Sequence, residues 1–300
     1  MTTRAAKVGR PISRRGGKRR RRPLSLKNTV IYIFLGSYCL TSLLAFAWVT
    51  IVSLKTNKEF MGTPPWTLPE VPQVVNFVLA WNKGVGTMFK NSLSIAAVST
   101  LLAVSISCLA AYPIARIPFR WNQRVLTFFL LGIMVPYMLT AIPLYFNIEA
   151  LRQRWPIDGR WVLIVLYSVI HLPFDTFVMT GFFKTLPTEL EEAAAVDGAS
   201  PFRAFWQVML PLATPGIASL VILNFLSGWN EFFYALIFIK EKYSRTMPLG
   251  LFYLNQTAEY TAKWVDLFAG MMISIIPVLI VFALLQEQVT RGLTVGALKG

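Results

Sequence analysis

Apolar residues fill this 300-residue chain in long blocks separated by shorter polar stretches. A hydrocarbon layer of about 30 Å is crossed by roughly 20 residues of helix, each rising 1.5 Å. Six segments reach that length: 29–53, 91–114, 125–146, 161–183, 213–239 and 264–286. The fourth contains His171 and Asp175, and the fifth contains Glu231. Barrel strands would instead read as alternating segments of about ten residues, and a lone segment in lipid must satisfy its own backbone groups as a helix. The pattern therefore predicts an all-α, polytopic membrane protein with six transmembrane helices and a polar, helix-forming connector between spans four and five.

Composition agrees. Hydrophobic residues make up 55% of the chain and charged residues 14%, against about 25% charged in soluble domains. The net charge of +15 is uneven: 11 of the 29 Lys and Arg lie between Arg4 and Lys27. Beside an apolar span, such a tail belongs on the cytoplasmic side, near anionic headgroups. Membrane placement is a simpler reading than nucleic acid binding, and no nucleic acid partner is expected. The apolar run after the tail is too long for a signal-peptide core and lacks a small-x-small cleavage site, so it reads as a retained span. With the tail inside, six spans return the C-terminus to the cytoplasm, and 18 of 29 Lys and Arg fall on that side. The organisation expected is a basic N-terminal tail (1–28), a membrane domain (29–290) containing the connector 184–212, and a C-terminal tail (291–300). Segment 54–90, with Pro64-Pro65-Trp66 and Pro69 and Pro72, is too proline-rich for one long helix. Pro136, Pro143, Pro173 and Pro277 imply kinks within spans. Cys39 and Cys108 both sit in apolar runs and read as small buried hydrophobes rather than a disulfide or metal pair.

The connector parses as two short helices. Thr188 can cap the first, with Glu189, Glu191 and Glu192 near its positive end. Ala193, Ala194 and Ala195 propagate it, and Gly198 supplies a left-handed stop. Ser200-Pro201 begins a second helix, on which Phe202, Phe205, Trp206 and Met209 recur at helical spacing. Pro211 marks re-entry into the membrane. An amphipathic pair could lie under the bilayer. Its acidic cluster, however, would be repelled by an anionic leaflet, whereas the small residues Ala193, Ala194, Gly198 and Ala199 admit a protein partner.

The spacing Glu192-Ala193-Ala194, three residues, Gly198, nine residues, Val208-Met209-Leu210-Pro211 resembles the EAA loop of permease subunits of ATP-binding cassette (ABC) importers, with Val208 where Ile is usual. Gly-Phe-Phe-Lys-Thr-Leu-Pro (181–187), Trp-Asn-Glu-Phe (229–232) and Arg-Gly-Leu-Thr-Val-Gly-Ala-Leu-Lys-Gly (291–300) are similar to the MalG-like branch of carbohydrate importers over roughly residues 25–300. The resemblance implies a permease of a bacterial or archaeal cytoplasmic membrane, with both termini cytoplasmic. It would pair with a second, MalF-like permease, two copies of an ATPase and an extracytoplasmic sugar-binding protein. ATP and Mg would be bound by the ATPase, and this chain would need no cofactor, metal or catalytic residue of its own. Glu192, Ala193, Ala194, Gly198, Ala199, Phe202, Arg203 and Pro211 would form the ATPase-coupling surface. Residues 291–300 could approach the ATPase interface.

Polar groups inside spans face protein or water. Trp229, Asn230, Glu231 and Phe232 are candidates for the substrate pathway, since carboxylates and amides bond sugar hydroxyls and aromatic rings stack on sugars. The competing reading is a structural bond or a gating contact. His171 and Asp175, one helical turn apart, suggest a buried pair locking a Pro173 kink, or a proton relay. Asn224 and Ser227 suit interhelical bonding. A transported non-sugar solute such as glycerol phosphate or a polyamine remains open, as does a stand-alone secondary transporter. A zinc protease would need two histidines in H-E-x-x-H, and this chain has one. G-x-S-x-G and phosphate-loop motifs are also absent, so the chain cannot hydrolyse ATP itself.

Overall fold

The computed structural model describes residues 26–297, with side chains to residue 284 and at Gln286; residues 1–25 of the basic tail lie outside the described residues, as do the side chains of 291–300. Among the described residues every regular element is a helix. The chain divides into a unit ending at Ala47 and a second unit from Trp48 onward. Helix α1 (Leu26–Ser53) supplies the described residues of the first, and its Tyr32, Phe34, Tyr38 and Leu43 are exposed, as suits a helix in contact with lipid.

The second unit begins with α2 (Asn57–Gly62), started by a reciprocal capping box between Thr56 and Glu59. Helix α3 (Val75–Ala80) and a π turn (Trp81–Val85) lead into α4 (Gly86–Arg116). Gly84, at φ 123°, turns the chain between them. Helical structure thus begins at Val75, well before the expected residue 91. The polar Asn82-Lys83-Gly84 interrupts hydropathy there but not the helical path. Third in order is a broken span, α5 (Asn122–Met134) and α6 (Ala141–Arg152) joined through a 3-10 turn (Tyr137–Thr140) and bent by 82°. The break falls at Val135-Pro136, because Pro136 disfavours helical geometry in the residue before it.

Helix α7 (Gly159–Thr185) runs unbroken through Pro173. Asp158 caps it, accepting from the Arg160 amide at 2.8 Å and from its guanidinium at 2.6 and 3.0 Å. The hydrogen bonds from the Arg160 side chain hold the Asp158 carboxyl below the usual aspartate range. The connector carries α8 (Glu189–Val196), α9 (Pro201–Ala204), a π turn (Phe205–Met209) and α10 (Leu210–Leu212). Beyond it, α11 (Thr214–Asn230) stops at Glu231 and α12 (Phe233–Phe238) starts afresh, so the expected segment 213–239 is two helices. The reason is Glu231, whose carboxylate accepts from the amides of Tyr234 (2.8 Å) and Ala235 (3.2 Å) and so caps α12 from its side chain. Finally come α13 (Met247–Thr261) and α14 (Trp264–Ala297). Among the described residues four helices are long and apolar enough to cross a membrane, or six when α5–α6 and the pair Pro201–Leu212 with α11, bent by 72°, each count as one span.

Helices α4 and α7 run parallel and in register. Asn91 meets Arg160 (3.4 Å), Ser99 meets Ser168 (3.3 Å) and Arg116 meets the Leu186 carbonyl (2.6 Å), an offset of 69 or 70 residues throughout. A stripe of buried small residues on α4 (Ala96, Ser99, Ala103, Ser107 and Ala111) lets the backbones approach closely. At one end of this pair lies a buried aromatic and methionine cluster of Tyr112, Met179, Phe183, Phe205, Met209 and Leu220.

Candidate coupling loop and membrane pathway

The connector is built from its two helix ends. Helix α8 stops in a Schellman motif: Gly198, at φ 79°, donates to the Ala195 carbonyl at 3.0 Å and Ala199 donates to Ala194 at 2.9 Å. Ser200 then caps α9, its hydroxyl accepting from the Arg203 amide at 3.3 Å, with Pro201 at the first turn. Thr188 differs from expectation. It occupies the cap position of α8 in helical geometry, and its side chain makes no capping bond. The acidic first turn of α8 is partly engaged elsewhere, since Glu191 faces Arg116 at the end of α4.

The four large residues of the second helix point two ways. Phe205 and Met209 are fully packed inside, where Phe205 meets Tyr112 at 5.0 Å between ring centroids. Phe202 and Trp206 face out, edge to face at 6.1 Å, with Phe202 68% exposed. The π turn explains the split, because it adds a residue to the turn that brings Phe205 and Met209 onto one buried side. Pro211 follows it, and its missing N–H and ring disfavour a regular α turn there. The outward surface comprises Glu192, Ala193, Val196, Gly198, Phe202 and Arg203, with Ala194 and Ala199 half-buried and Pro211 exposed. Val196 is 87% exposed. Arg203 donates to Gln207 at 2.9 Å and so projects along the same face. Of the eight residues expected to couple, six are exposed and Ala194 and Ala199 are half-buried, on a connector held to the body by Phe205, Met209 and Arg116. Arg116 had no motif to mark it; its only signal was a cation in the last turn of a span.

The Trp-Asn-Glu-Phe segment is placed differently. Trp229 is buried, stacked on Phe225 and edge-on to Phe89, and its indole donates to the Ser274 carbonyl at 3.2 Å. Its ring is occupied by packing, which leaves no face for a sugar. Glu231, besides capping α12, accepts from the Tyr167 hydroxyl. Of the four, Asn230 is exposed and Glu231 and Phe232 are both half-buried, with Phe232 lying 5.3 Å from Phe252. Tyr234 adds a link that the sequence did not mark, donating to the Tyr137 carbonyl at 2.6 Å and lying 3.1 Å from Thr140. The break in α11–α12 is thus tied to the break in α5–α6.

His171 and Asp175 do not pair. Asp175 is fully buried and accepts from Asn224 of α11 at 2.5 Å, so its partner comes from another helix rather than from its own. Helix α7 continues through Pro173. Among the described residues no group of three or more His, Cys, Asp or Glu is placed to hold a metal.

Comparison with known proteins agrees with this geometry. Residues 103–295 match the family described as the binding-protein-dependent transport system inner membrane component. The trehalose/maltose transport system permease protein MalG of Thermococcus litoralis is 34% identical over 280 residues, covering 92% of this chain and 98% of that protein. The sulfoquinovosyl glycerol transport system permease protein SmoH of Agrobacterium fabrum is 34% identical over 254 residues, 84% and 87% of the two chains. In fold, the chain is similar to one in the crystal structure of a bacterial ABC transporter involved in the import of the acidic polysaccharide alginate, with a TM-score of 0.72 at 20% identity over 87% of this chain and 95% of that one. Connector, spans and sequence converge: this chain belongs to the family of binding-protein-dependent transport inner membrane components, as a multi-pass permease subunit of an ABC importer.

Proposed function

We propose that the chain forms half of the translocation pathway for a sugar, and that the ledge at 184–212 is gripped by a separate ATPase from the cytosol. The observation that carries this reading is the two-sided connector. Phe205 and Met209 lock it into the membrane body, while Glu192, Val196 and Phe202 are left facing out. A helix pair resting under lipid would put its acidic cluster against an anionic leaflet, whereas the exposed Glu192 and the exposed aromatic rings Phe202 and Trp206 suit a protein partner. A sugar cargo is supported by the sugar-bearing solutes named for the relatives, and the chain's +15 charge says nothing against a neutral solute because much of it lies in the tail. A second permease, an ATPase pair holding ATP and Mg, and an extracytoplasmic binding protein complete the assembly. Both termini are cytoplasmic, and the chain binds no cofactor itself. We assign Asn230 and Phe232 as the residues of this chain that touch a passing solute, because they keep free surface. ATP and the loaded binding protein then act on one conformational equilibrium, so each raises the effect of the other.

The test is uptake in vesicles carrying the assembled importer. Glu192→Lys and Gly198→Asp abolish sugar uptake while the permease still reaches the membrane. ATPase activity that stays responsive to loaded binding protein in both variants would refute the coupling role.

A further inference from the structure

Beyond the ledge itself, one side chain joins it to a helix that is remote in sequence. Arg116 ends α4, and its side chain is 8% exposed. One terminal nitrogen donates to the Leu186 carbonyl at 2.6 Å and to the Pro187 carbonyl at 3.4 Å. Its Nε lies 3.1 Å from Glu191 Oε2 yet makes no aligned hydrogen bond, so that contact is ionic. Leu186 and Pro187 form the joint where α7 passes into α8, and Glu191 lies in the first turn of α8. The planar guanidinium therefore grips the joint and the helix beyond it with one rigid group.

We propose that Arg116 is the positioning residue that delivers movement of the coupling ledge to α4. Two facts make this the strong link. Residues 186–188 leave regular helix between α7 and α8, so α8 can swing about them unless something outside the joint holds it. Helix α4 is also the element locked in register along α7, so a pull at Arg116 reaches Ser99–Ser168 and Asn91–Arg160 as one body. The other attachment, Phe205 against Tyr112 and Phe183, is non-directional aromatic packing, whereas a charge-assisted bond to a carbonyl fixes direction. This inference rests on the reading of 184–212 as the ATPase-coupling loop.

The experiment uses the full importer, reconstituted with ATPase, sister permease and sugar-loaded binding protein. Three quantities are read for Arg116→Ala and Arg116→Lys: the amount of ATPase co-purified, stimulation of hydrolysis by loaded binding protein, and sugar moved per ATP. We expect wild-type ATPase content with stimulation and sugar per ATP reduced about tenfold in Arg116→Ala, the scale of one charged hydrogen bond. Arg116→Lys keeps the buried cation, and so the fold, but lacks the fork; both readouts fall severalfold. Wild-type coupling in Arg116→Lys, or loss of the ATPase from the complex, overturns the proposal, the latter by making Arg116 part of the docking surface rather than the link. Gly198→Asp separates the levels. If it uncouples while the Arg116 variants do not, only the Arg116 link fails; if neither uncouples, the coupling-loop reading fails with it.

Discussion

At the scale of single residues, Gly198 and Asp175 carry the sharpest expectations. A Cβ at Gly198 would meet nothing within 4 Å, so any cost of substitution comes from its φ of 79° alone. Replacement by Val should therefore destabilise the α8 end by about 1–2 kcal/mol and replacement by Asn by less, since Asn tolerates the left-handed region. Cross-linking efficiency or protease sensitivity of the connector reads that order directly. For Asp175, truncating Asn224 to Ala removes the one hydrogen bond its carboxylate receives. The expected loss is about 1–2 kcal/mol, toward the upper range for bonds between membrane helices, and appears as a lower melting temperature in detergent. His171→Ala should change that temperature little, because His171 makes no bond to the buried carboxylate; the reverse ranking would restore the His171–Asp175 pair. A pH effect follows from Asp158. A carboxyl held below its ordinary value stabilises the fold above that value, and the contribution is lost as the pH falls below about 4. Asp158→Asn should lower stability at neutral pH, where the ionised carboxylate contributes fully, and flatten the acid limb of the stability–pH curve.

Among the elements, what could be read in advance depended on whether the signal was local. Helix type and approximate span positions follow from uncharged apolar runs, and the stop at Gly198 and start at Ser200-Pro201 follow from cap chemistry within four residues. Three features escaped for physical reasons. Helix α3 was hidden because Asn82-Lys83-Gly84 lowers hydropathy, although polar residues can occupy a helix that meets the interface. The break after Asn230 was hidden because a carboxylate inside an apolar run looks like a pathway residue, whereas Glu231 spends its oxygens on the α12 amides and Tyr167. Arg116 was hidden because its partners lie 70 and 71 residues away. These placements change one expectation: Glu231→Ala should lower the stability of the permease and of the α11–α12 corner before it alters any preference among sugars. Unchanged thermal stability with altered sugar preference would return Glu231 to the pathway.

For the whole molecule, the fold sorts tasks by depth. Buried small residues lock α4 to α7, the α11–α12 corner is tied to the break in α5–α6 through Tyr234, and the connector leaves acids and aromatic rings exposed while Phe205 and Arg116 anchor it. Rigid elements joined at few points suit a machine in which a distant ATPase must move a pathway, because a closely packed body transmits displacement instead of absorbing it. The central claim is that this surface meets the ATPase in the cytosol, and Val196, exposed near the end of α8, is the site to probe. With Cys39 and Cys108 replaced by Ser, a cysteine at 196 should cross-link to the ATPase in the assembled importer and resist a membrane-impermeant thiol reagent added outside intact cells. Labelling from outside, with no cross-link to the ATPase, would contradict the account.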